Sequence, residues 1–342
     1  MAAAIKDVAR EAGLSISTIS KYMNGGHVKE ANRKRIEAAI DKLGYHPNEF
    51  ARGLRDASTH TVGVLLHSLK DACAADHVAA IEKQLREEGY SIVLISHQGN
   101  LDLAKEAIDF LISKQVDGLL LEPTPGIEPA LLPFRAANKP VVSVDSPLNP
   151  DYYDSVTSNS MIGIYQGVEY LIGKGHRKIG MISGGLGETK TLRTSVDRIN
   201  GFRRAMDDYD LPIRKEWVVA GDFRFQSGYD AMKKLWHCPN KPTAIIIANY
   251  YMFLGAMRAV HELNIQLPED LSLVTMDNMA LTWISSPAIT CIEQPTQKMA
   301  DEAVKLMIRR LRGDNHNFPK SIKLYTTFIE RDSVRENRPI EL

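Results

Sequence analysis

Within eight residues the chain places Ser17, Thr18, Ser20, Lys21 and Asn24. These are four short hydrogen-bonding side chains and one cation, the types that hold phosphate oxygens and read base edges. A plain solvated helix face would more often carry Glu and Lys pairs. A second set lies far downstream, where Asp145, Asp222, Asn249 and Asp277 each close an apolar run and Arg198 opens the stretch DRINGF. Taken singly, each strand-end residue is equally well explained as a helix N-cap. Together they outline a polar cleft for a small hydroxylated or charged molecule.

The elements that must position the first set are short helices. Ile5, Val8, Ala9 and Ala12 fall at i, i+3, i+4 and i+7, which predicts a helix with one apolar stripe, ended by Gly13. Ser15 is placed to N-cap a second helix running through Met23, with Ile19, Tyr22 and Met23 on its inner face and Ile16, Ser17 and Lys21 pointing elsewhere. Gly25 and Gly26 stop it. A third helix from about Glu30 carries Ile36, Ala39, Ile40 and Leu43 and closes on Gly44. Two short helices joined by a glycine turn and braced by a third make a helix-turn-helix unit. Periodicity alone also allows a plain three-helix bundle, and the donors on the second helix favour DNA.

The second set needs strands. TVGVLLH (61–67), SIVLIS (91–96), VDGLLLE (116–122) and PVVSVD (140–145) are apolar, β-branched runs with helical spacing between them, as at Ala104, Ala107, Ile108 and Leu111. HRKIGMISG (176–184), WVVAGD (217–222), TAIIIAN (243–249) and LSLVTMD (271–277) form a second series, alternating with helices near 162–173, 197–207, 227–235 and 252–263. Strands apolar on both faces with crossover helices predict two doubly wound parallel-sheet lobes. Ligands of such sheets bind beyond the carboxyl ends of the strands.

Composition narrows the function classes. The 342 residues carry 42 basic and 42 acidic side chains, but residues 1–60 hold a net +3 and the remainder −3, a mild bias toward a polyanionic partner at the head. Cys73, Cys238 and Cys291 are widely spaced, which argues against a disulfide framework and a zinc site. The start MAAAIKDVAR does not read as a secretory signal, and no apolar run reaches the ~18 residues of a membrane span, so a cytoplasmic protein without membrane attachment is expected. SGGLGETK (183–190) lacks the spacing of a phosphate cradle, and there is no G-x-S-x-G elbow or H-E-x-x-H pair. No enzyme activity, cofactor or metal is expected.

IKDVAREAGLSISTISKYMNGG, followed by RKRIEAAIDKLGYHPNEFARGLR, resembles the head of the LacI/GalR family of bacterial transcriptional repressors. The likeness continues through GHRKIGMISG, RINGFRRAM, GDFRFQSGYDAM, IIANYYMFLGAMRAV and LPEDLSLVTMDNM. It implies that the second helix enters the major groove, with Ile16, Ser17 and Lys21 contacting bases and Thr18, Ser20 and Asn24 contacting phosphates. In PNEFARGLR, a stretch too short and too glycine-broken to be helical alone in water, it implies paired hinge helices in the minor groove, with Leu54 wedged into a base step. Without the resemblance this segment reads as a plain linker. For the body it implies a periplasmic-binding-protein-like cleft in which Arg198, Asn249 and Asp277 take hydroxyl or charged groups and Phe223 stacks, with Asp145 at the end of its strand.

The chain departs from the family pattern at five places. Ala4 replaces a capping Thr, which removes a side-chain cap worth ~1 kcal/mol. Lys21 replaces the more frequent Arg, exchanging a bidentate fork for a point charge. DACA (71–74) stands in place of Asn-Pro-Phe-Phe, Tyr250 in place of Asp, and Ser158 in place of the Asp before Asn159. The expectation is an all-α helix-turn-helix head (1–46), a hinge helix and linker (47–60), and a two-lobed effector-binding and dimerisation domain (61–342). The expected homodimer represses transcription from a pseudo-palindromic site under control of a small effector, a sugar or sugar derivative. The alternatives are a solute-binding protein of a carbohydrate transport system and a carbohydrate enzyme. The first would carry a signal peptide and no helix-turn-helix.

Overall fold

A computed structural model describes residues 3–23, 26–45, 58–69, 72–185 and 192–337. The chain forms two compact units, Met1–Thr59 and His60–Leu342. In the first, α1 (Ile5–Ala12), α2 (Ile16–Met23) and α3 (Glu30–Leu43) follow the apolar spacing. Val8, Ala12, Ile19 and Ile36 make the core, none more than 3% exposed. Gly13 at φ 60° and Gly44 at φ 56° end α1 and α3 in the left-handed region, where a Cβ is unfavourable. Ser15 Oγ accepts from Thr18 N at 3.3 Å, the N-cap expected of α2. The methyl of Ala4 can accept nothing, but the Asp7 carboxylate takes the Ala4 N–H at 3.0 Å, so half of a reciprocal cap survives. Of the two stop glycines, Gly25 lies outside the described residues, as do 46–57 and with them most of the expected hinge.

The second unit is built from two six-stranded sheets. Lobe 1 contains β1 (Thr61–Leu66), β2 (Ser91–Ser96), β3 (Gly118–Leu121), β4 (Val141–Val144), β5 (Asp154–Ser158) and β11 (Ser321–Leu324), all parallel, in the order β11-β5-β4-β3-β1-β2. Lobe 2 contains β6 (Ile179–Ser183), β7 (Val218–Ala220), β8 (Ala244–Ile247), β9 (Ser272–Met276), β10 (Thr290–Glu293) and β12 (Thr327–Ile329) in the order β12-β10-β9-β8-β6-β7. Only β12 runs antiparallel, against β10. Crossover helices α4 (Ala72–Glu87), α5 (Leu101–Ser113), α6 (Leu132–Ala136), α7 (Ser160–Gly173), α8 (Arg193–Asp208), α9 (Phe225–Trp236), α10 (Tyr250–Glu262), α11 (Ala280–Ile284) and α12 (Thr296–Leu311) complete the unit. The eight predicted strands are all present, β2 with its expected bounds and the other seven shorter than their apolar runs.

β5, β10, β11 and β12 are not anticipated by the sequence reading, and they decide the topology. The chain crosses between lobes three times: from β5 into α7, which packs on lobe 2, from β10 into α12, which packs on lobe 1, and from β11 into β12. The two lobes are therefore not consecutive halves of the sequence. No described helix is long and apolar enough to cross a membrane.

Candidate functional site

On the first unit, burying Ile19 turns the opposite side of α2 outward. Ile16 is 51% exposed, an unusual position for a large apolar side chain, with Ser17 and Lys21 exposed beside it and Thr18 and Ser20 half-buried. Ser15 Oγ lies 2.8 Å from both Ser17 Oγ and Thr18 Oγ1, which orders the first turn of this face. Tyr22 donates to Glu37 Oε1 at 2.9 Å, holding α2 against α3, and Arg33 on α3 donates to the same oxygen at 2.9 Å. Asn24 and Leu54 lie outside the described residues.

In the second unit the carboxyl ends of the two sheets face one cleft of about 800 Å³, its open mouth included. Asp145, Arg198, Phe223, Asn249 and Asp277 all line it. Asp145 follows β4, Phe223 follows β7 and Asp277 follows β9, and all three have left-handed backbones, at φ 68°, 63° and 70°. Asp adopts such a conformation comparatively readily, but for a bulky residue such as Phe223 it is costly, and left-handed backbones of that kind cluster where side chains are aimed at a ligand. Gly184, after β6, leaves room for the Phe223 ring, because a methyl there would strike that ring and the Ser195 hydroxyl. Asp222 is a correction to the sequence reading: it is exposed and accepts from Arg224 N at 3.1 Å, a turn residue outside the cleft lining.

Several of these side chains have partners already. Asn249 Oδ1 caps α10 by accepting from Met252 N at 2.9 Å, so the N-cap reading and the cleft position hold together at this residue. Asp277 accepts from Tyr250 N at 3.2 Å and from Gln294 Nε2 at 2.7 Å. Arg198 is 5% exposed, and its Nη1 donates to the carbonyl of Ala248 at 2.7 Å. Its Nε has no partner among the described residues, and its guanidinium carbon lies 5.9 Å from the centre of the Phe223 ring.

Three titratable residues of the lobe 1 wall are absent from the sequence-based set: His67, His77 and Glu122. Glu122 Oε2 accepts from His67 N at 2.8 Å, and Oε1 lies 3.9 Å from His77 Nδ1. Burial works to raise Glu122, but the His77 side chain and the His67 backbone N–H outweigh it and hold the carboxyl below its ordinary range. Burial pushes the Asp145 carboxyl up, with Arg198 pulling the other way. Burial lowers His67, which favours its neutral form. His67 and Glu122 carry the same signal as Asp145, a polar residue closing an apolar run. Gln294, also in the lining, carries no such signal, since it follows the unanticipated β10. Among the described residues no three His, Cys, Asp or Glu side chains are grouped to hold a metal ion.

Residues 4–48 match the model for bacterial regulatory proteins of the lacI family, and residues 168–334 match a periplasmic binding protein-like domain. The chain is 34% identical over 337 residues to the HTH-type transcriptional repressor PurR of Shigella dysenteriae serotype 1 (strain Sd197), covering 98% of this chain and 97% of that protein. Its fold is similar to the lac repressor dimer bound to operator and the anti-inducer ONPF, at a TM-score of 0.85 and 26% identity, covering 98% of this chain and 100% of that one. It is similar also to the transcriptional regulator CelR in its cellobiose complex, at a TM-score of 0.72 and 27% identity over 97% of this chain and 99% of the other.

Proposed function

The chain belongs to the lacI family of bacterial regulatory proteins, a DNA-binding transcriptional repressor by descent, and from that premise we propose that a small effector in the cleft between its lobes controls operator binding. The division of labour follows the sequence: 1–46 read DNA, 47–60 form the hinge, and 61–342 bind effector and dimerise. Ile16, Ser17 and Lys21 contact base edges, Leu54 wedges a base step, and Thr18, Ser20 and Asn24 hold phosphates. A homodimer reads a pseudo-palindromic site in the cytoplasm, because two identical heads require two half-sites. The protein acts as a regulator, without catalysis and without a cofactor.

The observation that carries the effector reading is the convergence of Asp145, Arg198, Phe223, Asn249 and Asp277, from both lobes, on one cleft. An aromatic face beside charged and amide groups suits a sugar ring, which offers an apolar face and a rim of hydroxyls. Relatives named for lac and for cellobiose favour the same class. Closing the cleft on a ligand changes operator affinity only if the ligand distinguishes two lobe arrangements.

Two measurements test this. A thermal-shift screen of mono- and disaccharides should find a binder that adds ~2.7 kcal/mol of stability at about 100 times its dissociation constant, and that same compound should change operator affinity in a gel shift. A nucleobase or amino acid as the sole binder would replace the sugar reading. Lys21→Ala should weaken operator binding and flatten its salt dependence by about one counterion. An unchanged salt slope would remove Lys21 from the interface.

A further inference from the structure

The charges on the cleft wall do not balance. Among the described lining residues Arg198 is the single permanently charged cation, facing the carboxylates of Glu122, Asp145 and Asp277. Two of those carboxylates are occupied, Glu122 by His67 and His77 and Asp277 by Tyr250 and Gln294. Asp145 is different: its carboxylate takes no hydrogen bond or ion pair from the described residues. Arg198 feels Asp145 electrostatically from the opposite lobe, yet no contact within 4.0 Å joins them. Asp145 on lobe 1 and Arg198 on lobe 2 thus line the same cavity, the first with an open acceptor and the second with a buried Nε that has no partner among the described residues.

We propose that the effector is a hydroxylated molecule bearing a basic nitrogen, an amino sugar being the simplest case, whose ammonium group sits on Asp145 while its oxygen atoms accept from Arg198. The inference rests on the sugar-effector reading and narrows it. A neutral hydroxyl on Asp145 would satisfy one lone pair but leave a half-buried charge in a cleft that already holds two others of the same sign. An ammonium group supplies the missing positive charge and up to three donors. Burial is the main influence opposing ionisation of Asp145, with Glu122 and Asp277 adding to it and Arg198 and His77 working against it, and a cationic ligand on the carboxylate would act on the same side as Arg198. Such a ligand would also bridge the lobes, since Asp145 follows a strand of lobe 1 and Arg198 lies on a helix of lobe 2, so its charge favours the closed arrangement over the open one.

Isothermal titration calorimetry on the full-length protein at pH 7 tests this with D-glucosamine against D-glucose, D-galactosamine against D-galactose, and N-acetyl-D-glucosamine as the uncharged amide. At least one amino sugar should bind tenfold or more tightly than its neutral parent, with acetylation abolishing the gain. Asp145→Asn should remove most of that preference and change the affinity for the neutral sugar much less. The substitution is suited to the site, because Asn tolerates the φ of 68° at this position. A neutral sugar binding as tightly as its amino counterpart, or a preference that survives in Asp145→Asn, overturns the proposal and leaves the sugar reading standing. No heat from any of these five sugars overturns the proposal, and a thermal-shift screen that finds no saccharide binder overturns the sugar reading with it.

Discussion

Ser158 and Gln294 stand on two different crossings of the chain between the lobes, and the Ser158 hydroxyl donates to Gln294 Oε1 at 2.6 Å. The other end of the same amide donates to Asp277 Oδ1 in the cleft at 2.7 Å. A single side chain therefore ties the two connecting segments to a carboxylate on the lobe 2 wall, and its amide orientation is fixed by having a donor on one side and an acceptor on the other.

Gln294→Ala should leave Asp277 Oδ1 without its partner and cost about 1 to 3 kcal/mol in urea unfolding. It should also weaken the effector response more than operator binding in the absence of ligand. Unchanged stability together with an unchanged response would make the bond incidental.

Arg198→Ala should lower effector affinity by roughly a hundredfold, the scale of losing a charge-assisted, mostly buried donor pair. Operator binding without effector should persist. Full response of the variant at low effector concentration would take Arg198 out of the site.

The Asp154–Arg310 pair is a structural target away from the cleft. Arg310 Nε and Nη2 donate to Asp154 Oδ2 and Oδ1 at 2.8 and 3.1 Å, and the two side chains are 0% and 2% exposed. Removing one partner strands the other charge in the interior. Asp154→Ala should therefore destabilise the second unit by about 3 to 5 kcal/mol in chemical denaturation. A loss below about 1 kcal/mol would show that water reaches Arg310.

His176 is fully buried in lobe 2, where its Nδ1 meets Thr243 Oγ1 at 2.9 Å and burial brings its pKa from 6.5 down to about 4. The unfolded chain takes up this proton first as pH falls below about 6.5, so stability declines between pH 6.5 and 4 and levels off for this group below that. A shift of this size corresponds to about 3 kcal/mol at most. His67 and His97, lowered by burial, act in the same direction. Melting temperatures across pH 7 to 4 should therefore fall less steeply in His176→Asn than in the parent, whatever the offset at pH 7. Parallel curves would exclude His176 as a major contributor.

The sequence by itself determined the three head helices, because each pairs a 3.6-residue apolar stripe with a local stop, Gly13 or Gly44, or a local start, Ser15. It determined eight strands for a similar local reason, since continuous apolar runs cannot remain solvated, and it pointed to the cleft wherever a polar residue closed such a run. Only the tertiary structure decided the rest. β5 reads DSVTS, with four polar side chains in five residues, yet it is wholly buried, because Asp154 finds Arg310, Ser155 finds Ser321 and Ser158 finds Gln294, each more than 130 positions away. A polar strand becomes a core strand when distant partners satisfy it, and no local pattern announces those partners. The same non-local pairing carries the chain between the lobes three times, so the position of Gln294 in the cleft, and the open pair of Asp145 and Arg198, follow from topology rather than from any motif.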